Sequence, residues 1–364
     1  MKPVLVTRST KRKAEQMSNS VTREVDALPG ARTAPERGAA PGRRRLSLGG
    51  SAGIVAGLVI LCGYLAITQP IFLTWGNLTN IVLSNNVILL LAIGATFVII
   101  AGGIDLSAAS TATACAMVLG LGLSGGLGTI TALLLTLAAG LLIGLVNGVL
   151  ISYLRISFLV VTLGTLSILE SVALLSNQGT TISVFDVEAF QGVYHFTLNR
   201  VGGIPLLMIF DVVVVAVAVI VLRYTPFGRS VFAIGSNPEA ARLNGINVAL
   251  TMLGVYLIAG LAGALAGVVQ VGRLTAASPT VDSTLLLTVI AAVLIGGTAY
   301  TGGEGGIGGT VLGVLFLGVI QNGLTLSEVS TFWRGTVNGL VLIAAVALGV
   351  VRHGGMFRRR RRVS

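Results

Sequence analysis

The sequence predicts an all-α membrane protein with about ten transmembrane helices. Three observations carry this prediction. Only 10% of the 364 residues are charged and 54% are hydrophobic, whereas soluble domains average about 25% charged. The apolar residues gather into ten runs separated by short polar breaks. Glycine accounts for 49 residues, roughly twice its average usage. In lipid, small residues let helix backbones approach closely, so the excess favours a packed polytopic bundle over isolated anchors.

The elements follow in order. Residues 1–50 are polar, rich in Pro, Gly and Arg and without hydrophobic period, and read as a disordered basic cytoplasmic tail. The run 51–69 follows that tail without a convincing cleavage site, so it reads as an anchor rather than a signal peptide. Further spans are expected at 83–101, 108–123, 128–150, 158–176, 204–222, 250–271, 284–299, 307–323 and 335–351, and a second basic tail at 352–364. The shorter runs fall below what a hydrocarbon core of about 30 Å demands and are candidates for broken or re-entrant segments.

Charge sets the expected orientation. Residues 1–50 hold eleven Lys/Arg and 352–364 hold six, out of 24. Both tails abut apolar spans, so positive-inside topology explains them better than nucleic-acid binding does, and no nucleic-acid partner is expected. Both termini are then cytoplasmic and the number of spans is even. Arg155, Arg223, Arg229 and Arg242 fall inside. The segment 177–203 falls outside, with Asp186, Glu188 and Arg200, and Trp75 and Trp333 land at the outer interface. Arg273 and Arg334 are placed outside against the rule.

A faint internal repeat supports the span count. Gly103-Ile104-Asp105-Leu106-Ser107 ends the second span and Gly272-Arg273-Leu274-Thr275 the seventh. Val146-Asn147-Gly148 closes the fourth and Gln321-Asn322-Gly323 the ninth. An offset of five spans reverses the direction of the copies, giving an inverted repeat. Chance similarity between small-residue segments is the rival explanation.

The loop 223–249 carries a polar island in an otherwise apolar chain, Asn237-Pro238-Glu239-Ala240-Ala241-Arg242-Leu243-Asn244-Gly245. Asn237 suits an N-cap, Pro238 the first helical position, and Glu239 the positive end of the helix dipole. Gly245 suits the residue just past the C-terminus. A helix capped at both ends and lying outside the bilayer is suited to being gripped by another protein.

Several chemistries are excluded. The lysines Lys2, Lys11 and Lys13 all lie in the N-terminal tail, so no Gly-x-x-x-x-Gly-Lys-Ser/Thr phosphate loop exists. The glycine-rich stretch 296–306 lacks a lysine and reads as a tight turn. His195 and His353 are isolated, and Cys62 and Cys115 sit in apolar runs, so neither a metal site nor a hydrolytic triad is expected. Asp105, Glu170 and Asp211 are acids in or near spans, where burial costs a few kcal/mol and each is a functional candidate. Asp105 suits either a cap for the third span or a pathway-lining group. Glu170 has Ser167 and Ser171 nearby, and Asp211 lies near the outer end of its span. These acids keep two rival functions open: an ion-driven secondary transporter, and a structural or signalling protein that uses the 237–245 helix for docking.

Four motifs in order then resemble a known family. They are Phe72-Leu73-Thr74 with Asn77-Leu78-Thr79-Asn80-Ile81; Gly102-Gly103-Ile104-Asp105-Leu106-Ser107; Gly228-Arg229 with Ala233 to Arg242; and Ala291 to Thr298 leading to Gln321-Asn322-Gly323-Leu324. The chain resembles the permease subunits of bacterial ABC importers of the ribose/xylose/galactose type, from about Phe72 to Val351. The resemblance implies a type II importer fold of ten spans in the cytoplasmic membrane. It implies that Asn237, Pro238, Glu239, Ala240, Ala241 and Gly245 couple to a separate ATPase. That ATPase would hold ATP and Mg²⁺, and no cofactor would be bound by this chain. It further implies a sugar-binding protein, periplasmic or lipid-anchored, and a second permease copy or a related permease. Gly102, Gly103, Asp105, Ser107, Asn147 and Asn322 are the pathway candidates. The chain departs from the family pattern in its long basic N-terminal tail and in Ala108-Ala109-Ser110, where the family often has Val-Gly-Ser.

Overall fold

The computed structural model describes residues 48–330, together with Trp333, 335–337, 339–340 and Ile343. The expected tails lie wholly or almost wholly outside these residues, and the expected span 335–351 lies largely outside them.

The described chain is helical, with four two-residue strands. The helices are α1 (Leu48–Thr68), α2 (Trp75–Ser84), α3 (Asn86–Ile100), α4 (Ala108–Ser124), α5 (Thr129–Ser152) and α6 (Phe158–Ser176). Then come β1 (Ile182–Ser183), a 3₁₀ turn at Glu188–Phe190, α7 (Gln191–Leu198), β2 (Arg200–Val201) and β3 (Ile204–Pro205). Next are α8 (Leu206–Tyr224), α9 (Pro226–Ser236), α10 (Pro238–Leu243), α11 (Val248–Leu274), β4 (Ala276–Ala277), α12 (Ser283–Ile295) and α13 (Ile307–Leu326).

Among the described residues, α5, α6, α8, α11 and α13 are each long and apolar enough to cross a membrane, and α2 with α3 make a sixth candidate crossing bent by 46°. The apolar helices within α1, α4 and α12 are shorter. Two expected spans change shape. The run 83–101 is the second half of a broken element, because the Ser84-Asn85-Asn86 sequence interrupts the helix and leaves Trp75–Ser84 as its first half. The run 284–299 stops as a helix at Ile295, where Gly296 and Gly297 (φ +90°) turn the chain. Its 13 residues reach about 20 Å at 1.5 Å per residue, too short for a hydrocarbon core of about 30 Å.

The core is organised around α11, which packs against α3, α4 and α5. Glycine makes the α5–α11 seam possible. A Cβ at Gly260 would come within 2.9 Å of the Gly144 backbone, and one at Gly140 would lie 2.5 Å from the Gly260 carbonyl oxygen. The two backbones therefore touch without intervening side chains. Phe97, Leu90, Tyr256 and Val255 fill the adjoining core.

Two ends of the bundle are defined by contact. At one, the backbone N–H of Gly303 donates to the carbonyl of Ile100 at 2.8 Å, gathering the loops after α3 and α12. At the other, β1 pairs antiparallel with β4, and the Thr197 hydroxyl donates to the Gly272 carbonyl at 3.1 Å. The segment 177–203, expected outside, is thus a folded cap that buries its own Phe190 and Val193.

Candidate functional site

The capped helix exists as the sequence predicts. Asn237 is extended (φ −163°), and its Oδ1 accepts from the backbone N–H of Glu239 and Ala240, each at 3.0 Å. Pro238 opens α10. At the other end Gly245 is left-handed (φ +81°). Its N–H donates to the Arg242 carbonyl at 3.0 Å, while the Ile246 N–H donates to the Ala241 carbonyl at 3.1 Å. These are the two bonds of a Schellman motif. A six-residue helix is far too short to hold itself together in water, so the caps define it. Ala241 is buried, while Asn237, Pro238, Glu239, Ala240 and Gly245 are exposed and Leu243 is 82% exposed. Glu239 and Arg242 form an exposed ion pair at 3.2 Å, a contact of about 0–1 kcal/mol. The helix before it, α9, is not foreseen by the sequence reading. Its signals were Thr225-Pro226: the Thr225 hydroxyl accepts from the Gly228 N–H at 3.1 Å, with Pro226 at the first position.

The pathway candidates separate into two groups. Asp105, Ser107 and Asn147 are joined in one buried chain. Asp105 Oδ1 accepts from the Ser107 N–H at 2.8 Å and from its hydroxyl at 2.6 Å. Asn147 Nδ2 donates to Ser107 Oγ at 3.0 Å, and the Thr165 hydroxyl donates to Asn147 Oδ1 at 2.6 Å. The chain runs from the α3–α4 connection through α5 to α6. Asp105 therefore organises the entry to α4 and anchors the polar chain as well. Thr165 is the member the sequence reading missed; it lies among apolar neighbours and carries no motif. Gly102 (φ +85°) and Gly103 precede Asp105, and a Cβ at Gly103 would press on the Tyr256 hydroxyl at 3.1 Å. Asn322 is elsewhere. It exchanges reciprocal amide bonds with Asn77, at 2.8 and 3.1 Å, bracing α13 against α2.

A third polar group sits at the α2–α3 break. Asn86 Nδ2 donates to Asp211 Oδ2 of α8, and Arg273 of α11 donates to the carbonyl of Leu83. This contact gives the arginine that broke the positive-inside pattern a local role: it serves a backbone carbonyl at the end of α2, where the helix is broken. Glu170, by contrast, is exposed on α6. No group of three or more His, Cys, Asp or Glu that could hold a metal occurs among the described residues.

Residues 77–346 match the family described as the permease component of branched-chain amino acid transport systems. The chain belongs to this family. It is 33% identical over 336 residues to a probable ABC transporter permease of Sinorhizobium fredii, covering 91% of this chain and 97% of the relative. It is 37% identical over 293 residues to the ribose import permease of Bacillus subtilis, covering 80% and 90%. With the galactose/methyl galactoside import permease of Salmonella typhimurium it shares 31% over 316 residues, covering 83% and 94%. No solved structure matches. The protein is thus a helical, multi-pass membrane permease, a transporter component rather than an enzyme. Both α10 and the Asp105 chain lie within the matched region.

Proposed function

We propose that the protein is the transmembrane subunit of an ATP-driven importer that carries a monosaccharide of the ribose or xylose type across the cytoplasmic membrane. The observation that carries this reading is α10: a short, exposed helix fixed at both ends and presenting Glu239, Ala240 and Leu243 outward, in a chain that belongs to a permease family. A separate ATPase grips this helix and holds the ATP and Mg²⁺. A sugar-binding protein delivers the substrate to the opposite end, and two permeases, identical or related, enclose the pathway. Ribose and galactose permeases among the relatives support a sugar as the cargo. Both termini and α10 face the cytoplasm in this reading, and the β1–β4 cap faces outward.

Ten spans in an inverted repeat fit the same reading. Asp105 Oδ1 takes the N–H and hydroxyl of Ser107 at the entry to α4. Asp282 Oδ1 takes the N–H and hydroxyl of Thr284, at 2.8 and 2.7 Å, at the entry to α12. The expected third and eighth spans thus share an Asp-x-Ser/Thr hydrogen-bond pattern at their entries, five spans apart. Gly102, Gly103, Asp105, Ser107 and Asn147 remain the pathway residues, while Asn322 acts as a brace.

Co-purification in mild detergent with a co-expressed ATPase tests the assignment. The native chain is expected to hold the ATPase, and a Glu239→Lys/Gly245→Arg double variant to release it while remaining folded. An ATPase that never binds the native chain would redirect the assignment to an ion-driven carrier, testable by whether an uncoupler abolishes uptake.

A further inference from the structure

Three segments meet beside α10, largely through backbone. The first is the end of α3, Ile100 to Gly102. The second is the end of α9, Gly235-Ser236, immediately before Asn237. The third is Gly302-Gly303, in the loop between α12 and α13. The Gly303 N–H donates to the Ile100 carbonyl at 2.8 Å. A Cβ at Gly235 would overlap the Ile100 carbonyl oxygen and lie 2.5 Å from Gly303 N. One at Gly302 would lie 2.9 Å from Gly102 Cα and 3.0 Å from Gly102 N. One at Gly303 would lie 2.5 Å from Ser236 Oγ and 2.9 Å from Ser236 Cα and N. Gly102, Gly302 and Gly303 all have positive φ, at +85°, +83° and +77°, a region open to glycine at little cost.

These contacts differ in kind from side-chain packing. Side chains between two backbones can change rotamer and absorb a displacement, whereas backbones in direct contact cannot. The junction also joins the right partners. On one side α9 runs straight into the exposed α10; on the other α3 is buried in the core against α11 and α12. We infer that this glycine junction is the rigid link through which a displacement of α10 reaches α3 and the α12–α13 loop, and that Gly235 and Gly302 are positioning residues for transport. The inference rests on the reading that α10 docks on an ATPase.

Alanine at either position is a wedge that opens the junction without touching α10. The test uses the complete complex in proteoliposomes, with the permease, its ATPase and its binding protein, and whichever of radiolabelled ribose, xylose or galactose the native complex carries. Gly235→Ala and Gly302→Ala are compared with Gly308→Ala, where a Cβ meets nothing within 4 Å. The two wedges are expected to retain the ATPase and hydrolyse ATP within about twofold of native, while uptake per ATP falls at least about tenfold. Gly308→Ala is expected to behave as native. Uptake per ATP within twofold of native in both wedges would overturn the inference. Release of the ATPase would overturn it as well, since the junction would then only scaffold α10.

Should the wedges fail to fold, hydrogen exchange on the native complex decides. The Gly303 amide is expected to stay equally protected without nucleotide and with ATP and vanadate. A tenfold rise in its exchange rate in the ATP state would show the junction opening, and the rigid link would fall. A native chain that binds no ATPase removes the proposed function; silent wedges in a working complex remove only this inference.

Discussion

Asp105 does two things through one oxygen. Its Oδ1 orders the turn into α4 and, through Ser107, fixes Asn147. Replacing Asn147 by Ala would leave the buried Ser107 Oγ and the half-buried Thr165 hydroxyl each short of a partner, a loss of about 1–3 kcal/mol. Asn147→Ala is therefore expected to lower the melting temperature in detergent, and Asp105→Ala to lower uptake while ATPase assembly survives. Unchanged uptake in Asp105→Ala would remove Asp105 from the pathway. Asn237 acts on a smaller element: Asn237→Ala removes both cap bonds, at about 1 kcal/mol. It is expected to weaken ATPase co-purification, with Asn237→Asp retaining it. The caps of α10 were legible from the sequence because Asn, Pro and Gly occupy positions where backbone geometry admits few alternatives. Asn147 and Asp105 were legible as polar residues in apolar surroundings, but their connection through Ser107 was not. It depends on how α5 is rotated against the α3–α4 loop, which no local pattern encodes. Asn322 was legible for the same reason as Asn147, but its pairing with Asn77 was not, since similarity of context says nothing about proximity.

Elements were most legible where the hydrophobic run was long. The expected 158–176 coincides with α6, and the expected 128–150 falls within two residues of the ends of α5. They were least legible where a polar residue sits inside an apolar run. Asn85 and Asn86 could have been buried hydrogen-bonding side chains in a continuous helix; instead they mark a break, made tolerable by Arg273 and Asp211 from two distant helices. The break gives the element-scale prediction. Arg273→Leu removes the guanidinium donor from the half-buried Leu83 carbonyl, a charge-assisted hydrogen bond of about 1.5–3 kcal/mol, and is expected to lower detergent melting temperature more than Arg273→Lys does. Equal melting temperatures would mean that the guanidinium contributes nothing at the break. The short α12 follows a different rule. Its end is set by Gly296, where a Cβ would strike the Gly309 and Thr310 backbone at 2.6–2.7 Å, so close approach of α13 rather than loss of hydrophobicity terminates it.

For the whole molecule, the loops after α3 and α12 gather at one end of the bundle and β1 with β4 at the other, and in the proposed topology these ends face inside and outside. Single cysteines at Asp186 and at Asn244, in a chain with Cys62 and Cys115 replaced, are expected to react with a membrane-impermeant thiol reagent from outside and inside the cell respectively. Labelling of both from the same side would reverse this arrangement. The α2–α3 break carries a last consequence, for synthesis rather than transport. The Leu83 carbonyl is served by a side chain 190 residues further along the chain. At about 5–20 residues per second, the ribosome needs roughly 10–40 s to make that arginine after it has made the break. Throughout that interval the nascent α2–α3 element lacks the side-chain donor that braces its break, which arrives only with α11.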